Sequence, residues 1–207
     1  TLIQDAIFIY PNRTQNGTTF TYEIAQIDLD GNGTFDDVYG QNLSGSLLHW
    51  TNQKPYVVYG FALVPNNNVL DIQAGTRVYF HANSGLIIDK NASISVNGIN
   101  PPNYNEIDLQ NEVIFEGDRL EPNYDNVSGQ WFGVISYSTN NSNNINHLTL
   151  KNASVGIYLN RFKNQSLAET PKLNISNSKI LNCSNFGLLT KCAEVNSENL
   201  VINNAGQ

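Results

Sequence analysis

The stretch Val69–Val96, VLDIQAGTRVYFHANSGLIIDKNASISV, decides the fold of this chain. It contains four triplets that begin every eight residues, and each has an apolar residue at both ends. Side chains two positions apart share one face of a strand, so each triplet predicts a short strand with one apolar face. The apolar members are Leu70 and Ile72, Val78 and Phe80, Leu86 and Ile88, and Ile94 and Val96.

Turn-forming residues separate the triplets, at 73–75, 83–85 and 90–92. A chain that winds as a triangular coil needs such a regular return, with one short strand on each side. Three sides take 24 residues (94 minus 70), which predicts that Ile94 stacks on Leu70 at roughly 4.8 Å. The pattern therefore predicts an all-β, three-sided parallel β-helix of about 21–24 residues per turn. The alternative is a meander of short antiparallel strands.

The composition excludes some classes of function. The chain has 207 residues, a formal net charge of -7 and only 14% charged residues, so no basic patch exists to neutralise nucleic-acid phosphates. Asparagine is abundant, with 33 residues, and stacked amide side chains hydrogen-bond from one layer to the next. Apolar residues make up 40% of the chain and recur periodically, which argues against disorder.

The last third repeats an aliphatic strand followed by an Asn corner. The segments are LTLKNASVGIYL (148–159), SKILNCSNFGLLT (178–190) and LVINNAGQ (200–207). We expect Asn152, Asn182 and Asn203 to form a ladder at this corner, unless Asn is merely common here. We also expect a strand at Leu200–Asn203 with an open edge, and further turns of the coil in the natural protein.

Residues 1–50 differ from the rest and predict an N-terminal β-segment that covers the first turn of a β-helix spanning residues 51–207. Strands are expected at Ala6–Pro11 and Thr19–Leu29, with Asn16-Gly17 in a hairpin turn between them. Methionine is absent and no signal peptide or transmembrane run is present, so we expect any targeting segment to have been removed. Cys183 and Cys192 either form a disulfide or serve as small apolar residues.

Three phrases carry a resemblance to a known group: KPYVVYGFALVP (54–65), VLDIQAGTRVYFHANSGLIIDKNASISVNG (69–98) and NEVIFEGDRLEPNYDNVSGQWFGV (111–134). From Lys54 to Gln207 the chain resembles secreted right-handed β-helix proteins of Bacteroidetes, many of them predicted outer-membrane lipoproteins. The resemblance implies a right-handed coil and an extracellular, cell-surface location on the exterior face of the outer membrane. Anchoring would use a lipid outside this sequence, and the resemblance implies little about activity.

The loop Asp28–Asp36, DLDGNGTFD, predicts a calcium site. Calcium binds six to eight oxygen ligands, and a tight loop offers them from alternate positions. The loop resembles the calcium loops of dockerin, thrombospondin and FG-GAP repeats, although Tyr39 stands where an EF-hand has a bidentate Glu. The alternative is a hairpin that turns at Asn32-Gly33. The predicted ligands are side-chain oxygens of Asp28, Asp30, Asn32 and Asp36, with the carbonyl of Thr34.

A second cluster lies in the segment Glu116–Trp131, EGDRLEPNYDNVSGQW. Carboxylates on one flank of a β-helix can perform acid/base chemistry on a glycosidic bond. The candidate catalytic residues are Asp118, Arg119, Glu121 and Asp125, with Tyr124 and Trp131 beside them. The structural alternative is that a buried Arg119 pairs with a carboxylate and pins the loop, while Trp131 fills the space beneath it.

Two functions follow as expectations. The first is a non-catalytic cell-surface β-helix protein that acts as a binding module for a polysaccharide, or as a subunit with a protein partner in an outer-membrane assembly. The second is a polysaccharide-active lyase or hydrolase that uses acidic residues on one flank. The 11 Lys and Arg residues are spread thinly, which favours the first.

Overall fold

The structure, a computed structural model, is all-β. It describes the chain except for residues 1, 2, 4, 16, 17, 22, 28, 30–33, 35, 100–110, 162–168 and 207. The described residues contain no α-helix, and their two short 3-10 helices are Gly45–Leu48 and Pro122–Tyr124. No helix in this part of the chain has the length and apolar character needed to cross a membrane. The prediction of an all-β chain is confirmed.

Twenty strands are described, numbered along the chain. They are β1 (Ile7–Ile9), β2 (Asn12–Gln15), β3 (Thr18–Thr21), β4 (Glu23–Ile27), β5 (Asp36–Asn42), β6 (His49–Trp50), β7 (Tyr56–Val58), β8 (Phe61–Val64), β9 (Val69–Gln73), β10 (Arg77–Phe80), β11 (Gly85–Ile88), β12 (Ser93–Asn97), β13 (Val113–Gly117), β14 (Gly133–Ser136), β15 (Asn144–Asn146), β16 (Leu148–Lys151), β17 (Val155–Leu159), β18 (Lys172–Cys183), β19 (Phe186–Thr190) and β20 (Glu194–Ala205).

The strands form two long sheets, which are parallel except at one pair. The first has eleven described strands in the order β1-β7-β10-β13-β16-β18-β15-β12-β9-β6, with β20 beside β18. The second has seven, in the order β19-β17-β14-β11-β8-β5-β4, and only its β4–β5 pair is antiparallel. Strands β2 and β3 form a separate antiparallel hairpin.

The stretch that decides the fold behaves as its spacing predicts. Ile94 pairs with Leu70 in a parallel register, so the 24-residue return is confirmed. All eight predicted apolar residues are at most 2% exposed and belong to one core cluster. The alternative of an antiparallel meander is wrong for this stretch, because each of its strands pairs with parallel neighbours.

Strand β18 bends the first sheet sharply. Its first half pairs with β15, as Asn174 does with Asn144, whereas its second half pairs with β16, as Ile180 does with Leu150. Between the halves, Asn177 has a φ of 50°, a left-handed conformation that Asn tolerates better than most residues. One continuous strand therefore belongs to two differently oriented parts of the sheet.

The central strands of the second sheet, β8, β11, β14 and β17, are buried on both faces. Leu86 and Ile88 of β11 join the main core, while Ile87 between them packs in a second cluster with Ile135 and Tyr158. Strands buried on both faces read as continuous apolar runs, and Leu86-Ile87-Ile88 is such a run.

The first fifty residues contribute to both sheets. Strands β1, β5 and β6 pair in parallel with β7, β8 and β9, respectively. The predicted strand at Ala6–Pro11 is β1, but it is not the hairpin partner, because Asn12–Gln15 pairs with Thr18–Thr21. The predicted turn residues Asn16 and Gly17 lie outside the described residues. The division into residues 1–50 and 51–207 stays a prediction.

The Asn ladder exists, with one correction. Asn182 Nδ2 donates to Asn152 Oδ1 at 3.4 Å, and Asn204 Nδ2 donates to Asn182 Oδ1 at 2.8 Å. The prediction that Asn203 belongs to the ladder is wrong. Asn203 pairs with Leu181, which lies one position before the ladder residue Asn182. The three ladder residues have φ values of 65°, 54° and 54°, so each has a left-handed backbone conformation, although Asn182 and Asn204 lie within β18 and β20.

Both cysteines are free thiols, so the predicted alternative of a disulfide is wrong. Cys183 is 2% exposed in the main core, as expected of a small apolar residue, whereas Cys192 is exposed. Burial raises the pKa of the Cys183 thiol to about 11, although backbone hydrogen bonds from Ala153 and Gly156 oppose the shift.

We expect the two thiols to react with a disulfide reagent at very different rates at neutral pH. Only a thiolate attacks such a reagent, and a thiol with a raised pKa stays protonated until the pH rises towards 11. Cys192 should therefore react quickly, and Cys183 only on unfolding. Stopped-flow labelling of the wild type and of Cys192→Ala, with and without denaturant, checks this. Two equally fast thiols in the native protein would contradict the buried position of Cys183.

Candidate binding surface

Four side chains meet because they directly follow four paired strands. The strand ends Ile9, Val58, Phe80 and Gly117 are register partners in β1, β7, β10 and β13. The next residue in each case is Tyr10, Tyr59, His81 and Asp118. Backbone hydrogen bonds hold this register beyond the strands: Tyr59 N–H donates to Ile9 O at 2.9 Å, His81 N–H to Val58 O at 2.9 Å, and Asp118 N–H to Phe80 O at 3.0 Å.

Stacked rings cover this surface. The ring centroids of Tyr10 and Tyr59 are 5.2 Å apart, and those of Tyr59 and His81 are 4.6 Å apart. Phe8 stacks on Tyr10 at 5.6 Å with an interplanar angle of 6°. Phe8 and Tyr10 are 41% and 48% exposed, which is unusual for such large rings. We call Phe8, Tyr10, Tyr59 and His81 the aromatic row.

A hydrogen bond between His81 and Asp118 ends the aromatic row. His81 Nδ1 lies 2.7 Å from Asp118 Oδ2, and the two side chains are 49% and 15% exposed. A carboxylate at this distance orients the imidazole and selects the tautomer that carries the proton on Nδ1, which leaves Nε2 as an acceptor. The pKa of Tyr59 is raised, first by desolvation and then by the negative charge of Asp118 and by Tyr10. The Tyr59 phenol therefore keeps its proton at neutral pH.

The structure brings Arg119 and Glu121 together on the loop that follows Asp118. Arg119 Nε donates to Glu121 Oε2 at 3.3 Å, and the guanidinium carbon lies 4.0 Å from the centre of the Tyr124 ring. The pKa of the Glu121 carboxyl is lowered, chiefly by a hydrogen bond from its own backbone amide and further by Arg119. Both partners are about half exposed, so the predicted burial of Arg119 is wrong.

Amide side chains pin this loop instead. Gln130 Nε2 donates to the carbonyl oxygens of Tyr124 and Val127 at 2.7 and 2.9 Å, and Asn152 Nδ2 donates to Asp125 O at 3.1 Å. Asp125 is itself exposed. Neutral amides fix the loop without the desolvation cost that a buried ion pair carries.

Trp131 fills the space at the end of the loop, as the structural alternative predicts. It is 1% exposed, its ring stacks on Phe80 at 4.1 Å, and its Nε1 donates to Lys151 O at 2.9 Å. Of the four predicted catalytic residues, two contact each other, one contacts a histidine, and Asp125 is exposed and belongs to neither contact. Asp118 contacts His81, and Glu121 contacts Arg119.

The predicted calcium loop is only partly described. Asp28, Asp30 and Asn32 lie outside the described residues, whereas Thr34 is exposed and Asp36 Oδ2 accepts a hydrogen bond from Leu29 N at 3.1 Å. The loop connects the antiparallel strands β4 and β5, so the flanks of the predicted hairpin exist. No group of three or more His, Cys, Asp or Glu side chains suited to a metal occurs within the described ranges.

Sequence reasoning missed the aromatic row. One signal was present: Tyr59 and His81 both follow a strand and are 22 residues apart, close to one predicted turn of the coil. The offsets from Tyr10 to Tyr59 and from His81 to Asp118 are 49 and 37 residues, so the rest of the row shows no period.

The comparisons with known proteins found no matching family model, no similar curated protein and no similar solved structure.

Proposed function

We propose that this chain is a non-catalytic cell-surface binding module whose two sheets form a right-handed, three-sided parallel β-helix. The 24-residue offset of Leu70 and Ile94 and the 22-residue offset of Tyr56 and Val78 support one turn of about that length. The main core cluster, which contains residues of both sheets, supports a closed interior. The cell-surface location, at the exterior face of the outer membrane, rests on the resemblance of the sequence.

The observation that carries the binding role is the exposed aromatic row. Its rings are ordered by contact with one another, so a ligand that binds them costs little further side-chain entropy. The row presents apolar ring edges together with two phenol hydroxyls and the imidazole of His81. Sugars combine apolar C–H faces with hydroxyl groups, and this mixture of groups matches them. We therefore propose a polysaccharide as the ligand.

The test is a titration of soluble neutral and acidic polysaccharides into the wild type and into Tyr10→Ala, followed by calorimetry. Loss of one anchoring ring is expected to weaken binding about tenfold or more. The matched control is Val69→Ala, which removes apolar surface from a side chain that is 50% exposed in β9. If all three proteins bind the polysaccharide with equal affinity, the aromatic row is not part of the binding site.

Within this proposal, the alternative to a polysaccharide ligand is a partner protein in an outer-membrane assembly. Exposed apolar patches also mark protein interfaces, where aromatic residues carry much of the binding energy. A pull-down from outer-membrane extract, compared between wild type and Tyr10→Ala, distinguishes the two. Capture of one protein by the wild type alone, without polysaccharide binding, would assign the row to the assembly.

A second candidate function, a polysaccharide-active lyase or hydrolase, is favoured by the contact of Asp118 with His81. An imidazole held at Nδ1 offers Nε2 as a general base, and the protonated Tyr59 beside it offers a general acid. Assays for new reducing ends and for unsaturated products test this function. If the wild type shows turnover, and His81→Ala abolishes it while polysaccharide binding persists, the chain is an enzyme rather than a non-catalytic binding module.

We also propose that the loop Asp28–Asp36 binds Ca²⁺. The support is its run of alternating oxygen ligands at the connection of β4 and β5. Calcium that binds only the folded state should raise its stability by about 2.7 kcal/mol at roughly one hundred times the Kd. Thermal melts with EDTA, calcium and magnesium measure the effect. An unchanged midpoint in calcium, or an equal shift in magnesium, would contradict the site.

A further inference from the structure

Three basic side chains lie on one outward face of the first sheet. The 11 Lys and Arg residues are spread thinly along the sequence, yet Arg77, Lys151 and Lys179 stand on β10, β16 and β18, which are neighbours in the sheet apart from β13 between the first two. Each is next in sequence to a core residue, so its side chain points away from the core. These core residues are Val78, Leu150 and Ile180. We call Arg77, Lys151 and Lys179 the basic cluster.

The buried residue Glu112 connects two members of the basic cluster. The Arg77 guanidinium donates to Glu112 O at 2.7 Å, and Lys179 Nζ lies 3.4 Å from Glu112 Oε1. Arg77 and Lys179 also stand in one register column, which passes through Ile114 and Thr149. The cluster is therefore fixed by strand pairing and by contacts with one carboxylate residue.

The basic cluster and the aromatic row share this face. Phe8 pairs with Val57, and Val57 pairs with Tyr79, so the three residues form one column. The column continues to Glu116, which pairs with Tyr79, and Glu116 Oε2 lies 2.7 Å from Lys151 Nζ. Four strand spacings separate Phe8 from Lys151, which amounts to roughly 19 Å. One polysaccharide chain can therefore contact the rings and the ammonium group together.

Tyr79 lies between the rings and the basic cluster. Its pKa is raised, first by desolvation and then by the negative charge of Glu116, while the positive charge of Arg77 opposes the rise. The Tyr79 phenol therefore keeps its proton at neutral pH and provides an uncharged hydrogen-bond donor between the two groups.

In both ion pairs of the basic cluster, the ammonium group belongs to the more exposed side chain. The side chains of Lys179 and Glu112 are 40% and 8% exposed, and those of Lys151 and Glu116 are 24% and 15% exposed. A ligand that approaches this face therefore meets the positive partner of each pair first, on a chain whose formal net charge is -7.

Each lysine keeps donors for a ligand. An ammonium group has three N–H donors, and one contact with a carboxylate uses one of them. The contact of Lys179 with Glu112 is longer than a usual charge-assisted hydrogen bond, and the Thr149 hydroxyl donates to the same Oε1 atom. An anionic group can therefore bind the outward donors without displacing either carboxylate.

We propose that the ligand of this face is an anionic polysaccharide, whose sugar rings lie on the aromatic row and whose carboxylate or sulfate groups bind Arg77, Lys151 and Lys179. This inference rests on the proposed polysaccharide binding and adds the chemical class of the ligand. A neutral sugar leaves the outward donors of the basic cluster without a charged partner. Hydrogen bonds to an ionised group are roughly twice as strong as neutral ones, so an anionic chain gains more from this face.

The probes are two pairs of polymers that share a backbone and differ in charge. Polygalacturonate is compared with its methyl ester, and dextran sulfate with dextran. Calorimetric titrations use the wild type, Lys179→Gln and Lys151→Gln, each checked for an unchanged melting temperature. Glutamine removes the charge and keeps an amide donor for Glu112 or Glu116. The matched control is Lys172→Gln, which makes the same change in the other half of β18.

We expect the wild type to bind each anionic polymer about fivefold or more tightly than its neutral counterpart. Lys179→Gln and Lys151→Gln should each weaken the binding of the anionic polymers about threefold or more and leave the binding of the neutral polymers unchanged. Lys172→Gln should bind like the wild type. Higher salt should reduce the preference, because it screens exposed charges. Tighter binding of polygalacturonate than of dextran sulfate would assign carboxylate groups, and the reverse would assign sulfate.

Equal affinity for the charged and neutral members of both pairs, or no binding of either anionic polymer, would overturn the inference. A loss in Lys172→Gln equal to that in the other lysine variants would also overturn it, because net charge alone would then explain the effect. If Tyr10→Ala still weakens the binding of a neutral polymer in these cases, the proposed function stands and only the ligand class fails. If the two cluster variants lose anionic binding and Tyr10→Ala does not, the basic cluster binds the ligand and the aromatic row does not.

Discussion

Replacing Ile88 with aspartate is expected to unfold the protein at temperatures where the wild type is native. Ile88 is fully buried in the main core, between Val64 and Ser136 of the neighbouring strands. An uncompensated carboxylate there loses its hydration and gains no partner, which should cost about 4 kcal/mol or more. That is a large share of the roughly 5–15 kcal/mol by which a folded domain is stable. Urea unfolding followed by circular dichroism measures the loss.

The matched control is Val69→Asp, which makes a similar change at a strand residue that is 50% exposed. Its carboxylate stays hydrated, so the free energy of unfolding should change by about 0.5 kcal/mol or less. If Ile88→Asp melts like the wild type, Ile88 does not face the core and the register of β11 is wrong.

Replacing Gly133 with alanine is expected to be almost as damaging. Gly133 begins β14 with a φ of 138°, and a Cβ at this position would overlap the carbonyl oxygen of Val155 in the adjacent strand β17. Backbone atoms cannot move aside as the end of a side chain can, so the pairing of β14 with β17 must open. We expect a loss of about 3 kcal/mol or more, measured by thermal and urea unfolding.

Gly45→Ala separates the backbone strain of a positive φ from the steric overlap of an added Cβ. Gly45 also has a positive φ, of 55°, but a Cβ there would meet no atom within 4 Å. It should cost only the backbone strain, about 1 kcal/mol. Equal losses in the two variants would show that φ alone matters and that β14 does not approach β17 as closely as described.

Much of the fold was predictable from the residues 69–96. Alternation identifies which side chains share a face, and the eight-residue return predicted that Ile94 lies over Leu70. Both are local properties, because strand periodicity and turn formation depend on neighbours within a few residues. The Asn ladder was also predicted from a local sequence pattern. The prediction named Asn203 instead of Asn204 because it assumed a turn of the coil that was one residue too short.

The candidate site was mostly beyond prediction. The predicted carboxylates Asp118 and Glu121 share a loop, yet the structure pairs them with His81 and Arg119, respectively. The partner of Asp118 lies 37 residues away in sequence, which is farther than the 24-residue return from Leu70 to Ile94. A longer connection changes the sequence spacing of two residues and leaves the hydrogen-bonded register of their strands intact.

Local periodicity was therefore enough to define an all-β chain, the apolar side of the strands within residues 69–96 and the Asn ladder at Asn152 and Asn182. Only the tertiary structure decided that Tyr10, Tyr59, His81 and Asp118 form one surface, that Trp131 stacks on Phe80, and that β18 belongs to two parts of one sheet. The physical reason is that strand register is set by backbone hydrogen bonds between distant segments. The connections between those segments vary in length without changing which residues meet.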